Sequence, residues 1–180
     1  MNAHKEEIHW YALRITYSRE LALKQFLDAE QVENFVPMRY EYVTRQERRI
    51  RKLVPAIHNL VFIRGSRQQI DEIKETKAAI FPLRYIMDRE SRQPIVVPDV
   101  QMRNFIAVAG TFDQQVIYLP PTDFSMNRGD RVRITGGIFE GVEGVFVRIK
   151  GDRRVVVSIQ GVMAVATTFI HPSLIEKIEE

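Results

Sequence analysis

The chain contains no cysteine. That removes disulfides, thiolate nucleophiles and cysteine-type zinc sites, and it fits a reducing cytoplasm. No apolar run approaches the roughly 20 residues needed to cross a bilayer. Met1 to Glu7 carries charges where a signal peptide needs an apolar stretch. The expectation is a cytoplasmic protein with no membrane partner. The four histidines, His4, His9, His58 and His171, never fall at His-x-x-x-His spacing. Gly136-Gly137 is not followed by the Gly-Lys-Ser/Thr of a phosphate-cradling loop, and Glu140 and Glu143 have no acid–base setting. The chain is therefore read as non-enzymatic, with no metal and no cofactor. Charge of one sign is also scarce. Twenty-six Lys and Arg against 23 Asp and Glu give +3 over 180 residues. That is too mild to force nucleic-acid binding, although a sequence pI near 9.3 permits it.

What is present begins with Gly129 to Ile149. Val132 and Ile134 alternate with Arg131 and Arg133, the period-2 pattern of a half-buried strand. Gly136-Gly137 supplies a turn, and Gly141 and Gly144 suggest tight bends or a close backbone approach. Alternation resumes at Val145, Val147 and Ile149. The Gly-Asp-x-Val-x-Ile opening, the Gly-x-Phe-x-Gly centre and the Gly-Val-x-Val exit together resemble a KOW motif, the signature of small SH3-like barrels in transcription and ribosomal proteins. The density of glycine and β-branched residues predicts a permanent barrel rather than a helix. From Gly129 to Glu180, seven basic residues balance seven acidic ones, which does not support a strong nonspecific RNA binder.

The N-terminal part reads as a strand over Ile8–Thr16, then a helix with Leu23, Phe26 and Leu27 on one face and Ser18 as its cap. A second strand runs from Phe35 through Val43, then a basic hairpin tip and its return at Arg45 to Lys52. Asn59–Ile63 is a central strand buried on both faces, and Ser66 caps a second helix carrying Ile70 and Ile73. Extended segments follow at Ile80–Met87 and Pro94–Val97. A third helix starts with Pro98 at N1 and stops by Gly110. The order β, α, β, β, β, α, β, α predicts an α+β layer, helices against a mainly antiparallel sheet. Thr111 to Met126, with Pro120-Pro121, is the domain boundary. The expected division is 1–110, a linker over 111–125, and a C-terminal all-β SH3-like barrel over 126–180.

A second resemblance spans nearly the whole chain. Trp10-Tyr11-Ala12-Leu13 leading into a helix, Phe35-Val36-Pro37, a basic hairpin and Asn59-Leu60-Val61-Phe62-Ile63 look like the NGN domain of NusG-type elongation factors. NGN, linker and KOW is that family's order. Ile57-His58-Asn59-Leu60 stands where many members have Phe-Pro-Gly-Tyr. With Pro94–Asp99 and Met102, the sequence looks closest to the specialised UpxY-like paralogs, antiterminators of capsular polysaccharide operons. The resemblance implies a monomer that docks on the β′ clamp helices of RNA polymerase and reaches toward the β subunit. It also implies a KOW partner such as Rho or a ribosomal protein.

By the same resemblance, Arg14, Ile57, Leu60, Phe62 and Phe81 are polymerase-contact candidates. Phe62 and Phe81 are equally well read as core. Arg45, Arg48, Arg49, Arg51 and Lys52 could meet non-template DNA or nascent RNA, with Tyr40 and Tyr42 stacking on bases, or could be a solvated hairpin with cross-strand tyrosines. Asp71 and Glu72 are read as helix surface charge. Phe139 and Phe146 are candidates for a KOW partner surface, with barrel packing as the competing reading.

Overall fold

A computed structural model describes residues 7–120 and 129–179. The reading of Met1–Glu7 therefore lies almost wholly outside the described residues, as do Pro121 and the boundary at 126. The described chain runs β1 (His9–Ile15), α1 (Glu20–Ala29), β2 (Asn34–Phe35), β3 (Met38–Arg45), β4 (Arg48–Pro55), β5 (Leu60–Gly65), α2 (Arg67–Thr76), β6 (Leu83–Tyr85), β7 (Val96–Val97) and α3 (Asp99–Ala109). It continues with β8 (Ile117–Leu119), β9 (Asp130–Ile134), β10 (Glu143–Ile149), β11 (Asp152–Ile159), β12 (Met163–Ala166), a 3-10 turn at Pro172–Leu174 and β13 (Ile175–Lys177). This is an α+β N-terminal part followed by a β-rich C-terminal part, as the residue patterns predict.

Contacts gather the described residues into two compact units. One takes residues 7–37 and Ile57–Asp99; the other takes Met38–Ala56, residues 100–120 and residues 129–179. In the first unit the sheet order is β2-β5-β1-β6, with β7 also pairing β1, all antiparallel. Both faces of β1 and β5 are covered, so Leu13, Ile15, Val61, Phe62 and Ile63 are fully buried. That explains the uninterrupted apolar run in β5. Leu23 and Leu27 of α1 and Ile70 of α2 bury the apolar stripes of their helices.

Ser66 caps α2 as expected, its hydroxyl accepting from the Gln69 N–H at 3.1 Å. Ser18 does not cap α1. Tyr17 and Ser18 both take the left-handed backbone conformation, φ 63° and 50°, and Arg19 occupies the cap position without a side-chain bond. A different acceptor serves this corner: the Glu20 carboxylate is buried and accepts from the Asn59 N–H at 2.5 Å. It therefore ties the start of α1 to the entry of β5. The predicted second strand is split. Pro37 has no N–H to donate, so β2 ends before it and β3 begins after it in a separate ribbon.

In the second unit the six-stranded order is β13-β9-β10-β11-β12-β8, and β3-β4 forms a two-stranded ribbon. Val132, Ile134, Val155, Ile159 and Val165 fill the interior. Gly141 holds φ +84°, and a Cβ at Gly144 would overlap the Val156 carbonyl oxygen. One glycine thus serves a bend and the other a close approach. Within the segment read as an irregular linker, Ile117–Leu119 is a strand: β8 pairs with β12, Tyr118 opposite Val165. Three residues before a proline are too short a signal to be read as a strand in advance.

Candidate functional site

The β3–β4 hairpin pairs from Met38↔Pro55 to Arg45↔Arg48 without a bulge. Its two-residue tip, Gln46-Glu47, has positive φ at both positions, 49° and 61°. That is the twist a tight hairpin requires, reached here without the usual glycine or asparagine. Directly opposed residues share a face. One face therefore carries Tyr40, Tyr42 and Thr44 with Leu53, Arg51 and Arg49. The other carries Arg39, Glu41, Val43 and Arg45 with Val54, Lys52, Ile50 and Arg48.

On the tyrosine face each arginine leans diagonally toward the base of the hairpin. The Arg51 guanidinium carbon lies 3.7 Å from the Tyr40 ring centroid and that of Arg49 lies 4.2 Å from the Tyr42 centroid. Both are cation–π distances. Tyr40 is fixed further by an edge contact with Phe112 at 6.4 Å, and its carbonyl accepts from Gln114 at 3.4 Å. Arg39 pairs with Glu41 at 2.5 Å. Among the described residues, Arg45, Arg48, Arg49, Arg51 and Lys52 have no carboxylate at ion-pair distance, and all five are exposed.

The apolar candidates are distributed otherwise than expected. Leu60, Phe62 and Phe81 are interior residues, 2%, 0% and 7% exposed. They offer no apolar surface because β5 is central and α1 lies over the Phe81 segment, with Phe26 stacked on Phe81 at 5.5 Å. Arg14 is exposed on β1, opposite Leu60 on one side and Arg84 on the other. Ile57 is half-buried just before β5. Phe139 is also an interior residue, 3% exposed, while Phe146 is half-buried. At that turn the solvent position belongs to Ile138, 73% exposed. Sequence reasoning passed over Ile138, and it passed over Tyr17, 79% exposed. The Arg19 guanidinium stands 5.6 Å from the Tyr17 ring and donates to the Ile80 carbonyl oxygen, so exposed Tyr17 and Ile80 flank one cation. The positive φ values at Tyr17 and Ser18 that create this display leave no sequence signature.

Asp71 and Glu72 lie midway along α2 rather than at its start. Asp71 accepts from Arg67 at 2.9 Å, from the Tyr85 hydroxyl at 3.0 Å and from Lys74 at 3.4 Å, locking α2 to β6. Partial burial alone would raise the Asp71 carboxyl. The bonds from Arg67 and Tyr85 outweigh it and hold the group below the usual carboxylate range. A depressed folded-state value contributes stability above the unfolded value, about 3.9, and loses it as pH falls through the folded value. The stability difference between wild type and Asp71→Asn is therefore expected to be constant near neutral pH and to shrink in the acid limb, below about pH 4. Urea midpoints across that range check it. Among the described residues no group of three or more His, Asp or Glu is placed to hold a metal ion, and no helix is long and apolar enough to cross a membrane.

The family model for transcription termination factor nusG matches residues 8–106, more than half of the chain. The chain belongs to the NusG family. As a NusG-family transcription factor it has non-enzymatic relatives that bind RNA polymerase. A solved structure described as domain interaction in Thermotoga maritima NusG is similar at 22% identity, covering 96% of this chain and 98% of that one, with a TM-score of 0.47. Comparison with curated protein sequences gave no match.

Proposed function

We propose that this NusG-family chain is a specialised, UpxY-like antitermination factor that binds RNA polymerase and promotes processive elongation of one operon, such as a capsular polysaccharide locus. The observation that carries the polymerase reading is the family match over residues 8–106 with a β-rich unit behind it. The specialised reading rests on Ile57-His58-Asn59-Leu60. Asn59 sits at φ 63°, a conformation that asparagine tolerates where relatives use glycine. Leu60, where relatives use tyrosine, turns inward.

In this proposal the NGN domain spans 1–110, the linker 111–125 and the KOW barrel 126–180. Arg14 and Ile57 contact the β′ clamp helices, and bridging to the β subunit holds the clamp closed. That favours the active polymerase population through differential binding. Ile138 and Phe146 form the surface for a ribosomal protein or Rho.

Core polymerase and an isolated β′ clamp-helix fragment should both capture the chain. Arg14→Glu with Ile57→Asp should weaken capture about tenfold or more, the effect of losing one interface anchor. Unaltered Trp10 fluorescence would show that the fold is intact. Chromosome-wide occupancy confined to one operon is expected; occupancy at most transcribed genes would make the chain a general elongation factor. Failure of both captures sinks the proposal.

A further inference from the structure

Three arginines stand on the strands of the first unit's sheet: Arg14 on β1, Arg64 on β5 and Arg84 on β6. Arg64 is neutralised by Glu33 at 3.1 Å and Asp99 at 3.9 Å. Arg14 and Arg84 are placed differently. They are directly opposed across β1 and β6, so they share a face, and both are exposed. Like charges set opposite one another destabilise a sheet. Among the described residues neither arginine has a carboxylate at ion-pair distance to offset that cost.

The surroundings narrow what the pair can meet. The described residues of this unit hold ten basic and eleven acidic side chains, so the pair is a local positive spot on a unit of net −1 and not part of a basic tract. Polyanions draw on rows of cations; two cations suit a short group of carboxylates. Ile86, two residues beyond Arg84, returns to the same face, half-buried, with its N–H bonded to the Ala12 carbonyl at 2.9 Å. Arginine beside an apolar flank is the composition of a protein interface. Spacing supplies the rest. Opposed Cβ atoms across antiparallel strands are about 4.5–5.5 Å apart, and those one turn apart on a helix about 5–6 Å. Two acidic side chains at i, i+4 of a helix therefore match the two arginines one to one.

We propose that Arg14 and Arg84 form a paired clamp for a partner helix that carries two acidic side chains one turn apart. This rests on the polymerase reading above and deepens it: the acidic pair belongs to the β′ clamp helices. Docking then relieves the repulsion between the two arginines, which favours an acidic helix over a neutral one. Arg84, which sequence reasoning passed over, becomes a specificity-determining residue.

The test uses the full chain and the β′ clamp-helix fragment, titrated over a range of salt. Arg84→Gln should weaken binding about tenfold, at the low end of the coupling between close interfacial charges. The gap between wild type and variant should narrow from about 0.1 M to about 1 M salt, where the Debye length falls from about 10 Å to about 3 Å. The same variant removes the repulsion, so its urea midpoint, followed by Trp10 emission, should equal or exceed that of the wild type. With acidic residues of the fragment changed to lysine one at a time, one such fragment should bind Arg84→Glu more tightly than it binds the wild type. Arg84→Gln that binds like the wild type at low salt, or that weakens binding only with a lowered urea midpoint, would overturn the clamp and leave the polymerase reading in place. Unchanged fragment binding with loss of duplex DNA binding would assign the pair to phosphates and overturn it equally. A wild-type chain that binds neither the fragment nor core polymerase would remove the polymerase reading and the clamp together.

Discussion

Replacing Phe62 with alanine should cost the first unit about 3–5 kcal/mol, the range for removing a buried phenylalanine from a packed core. The side chain is fully buried. It lies on β5 with Ala12 opposite on β1 and Phe35 opposite on β2, so no flank of the strand is free to collapse into the space. Domains are stable by only about 5–15 kcal/mol in total, so the loss takes a large share. The chain has one tryptophan, Trp10, buried on β1 beside this site, and its emission follows the first unit. The urea midpoint of that emission should fall steeply in Phe62→Ala and change little in Ile57→Ala, where the side chain is only half-buried. A Phe62→Ala chain with a wild-type midpoint that no longer captured polymerase would restore Phe62 as a surface contact.

The second large effect is expected at Arg154. Its guanidinium is buried, yet it donates 2.7 Å bonds to the Thr167 and Gln115 carbonyls and pairs with Asp152 at 3.2 Å. Arg154→Met fills similar space but leaves two carbonyl oxygens without their donor. Each such loss costs about 1–3 kcal/mol, so about 2–6 kcal/mol in sum is expected. Gln115 lies two residues before β8, so the damage should concentrate there. Amide exchange over Ile117–Leu119 should quicken about tenfold for each 1.4 kcal/mol lost. Arg154→Lys should restore protection only in part, because the single Nη1 atom makes both carbonyl bonds while the second nitrogen, which pairs with Asp152, is lost. Exchange equal to wild type in the methionine variant would show that the bonds contribute nothing to holding β8.

Periodicity and charge made much of the fold legible. The unbroken Leu60–Ile63 run marked a central strand, Ser66 marked a helix start, and the alternating valines of β9 to β11 marked a second, β-rich part. The hairpin was legible from its cations alone, since its Gln46-Glu47 tip has no conventional turn residue. What stayed hidden depends on partners distant in sequence. Glu20 satisfies an N–H thirty-nine residues away, and β8 exists only because β12 offers an edge. The apolar contact candidates divide between interior and surface for the same reason. Hydrophobicity marks Phe62 and Ile138 alike, and only the position of each in the fold sends one inside and the other out.

A strand with unsatisfied N–H and C=O groups along one side is a template for pairing with another chain. The pairing of Ile117–Leu119 with Met163–Ala166 covers one such row of the second unit with a strand from the tether itself. A fragment trimmed to begin after the tether would leave the outer row of Met163–Ala166 bare. Such a fragment should self-associate with rising concentration more strongly than the full chain, in which Ile117–Leu119 already occupies that row.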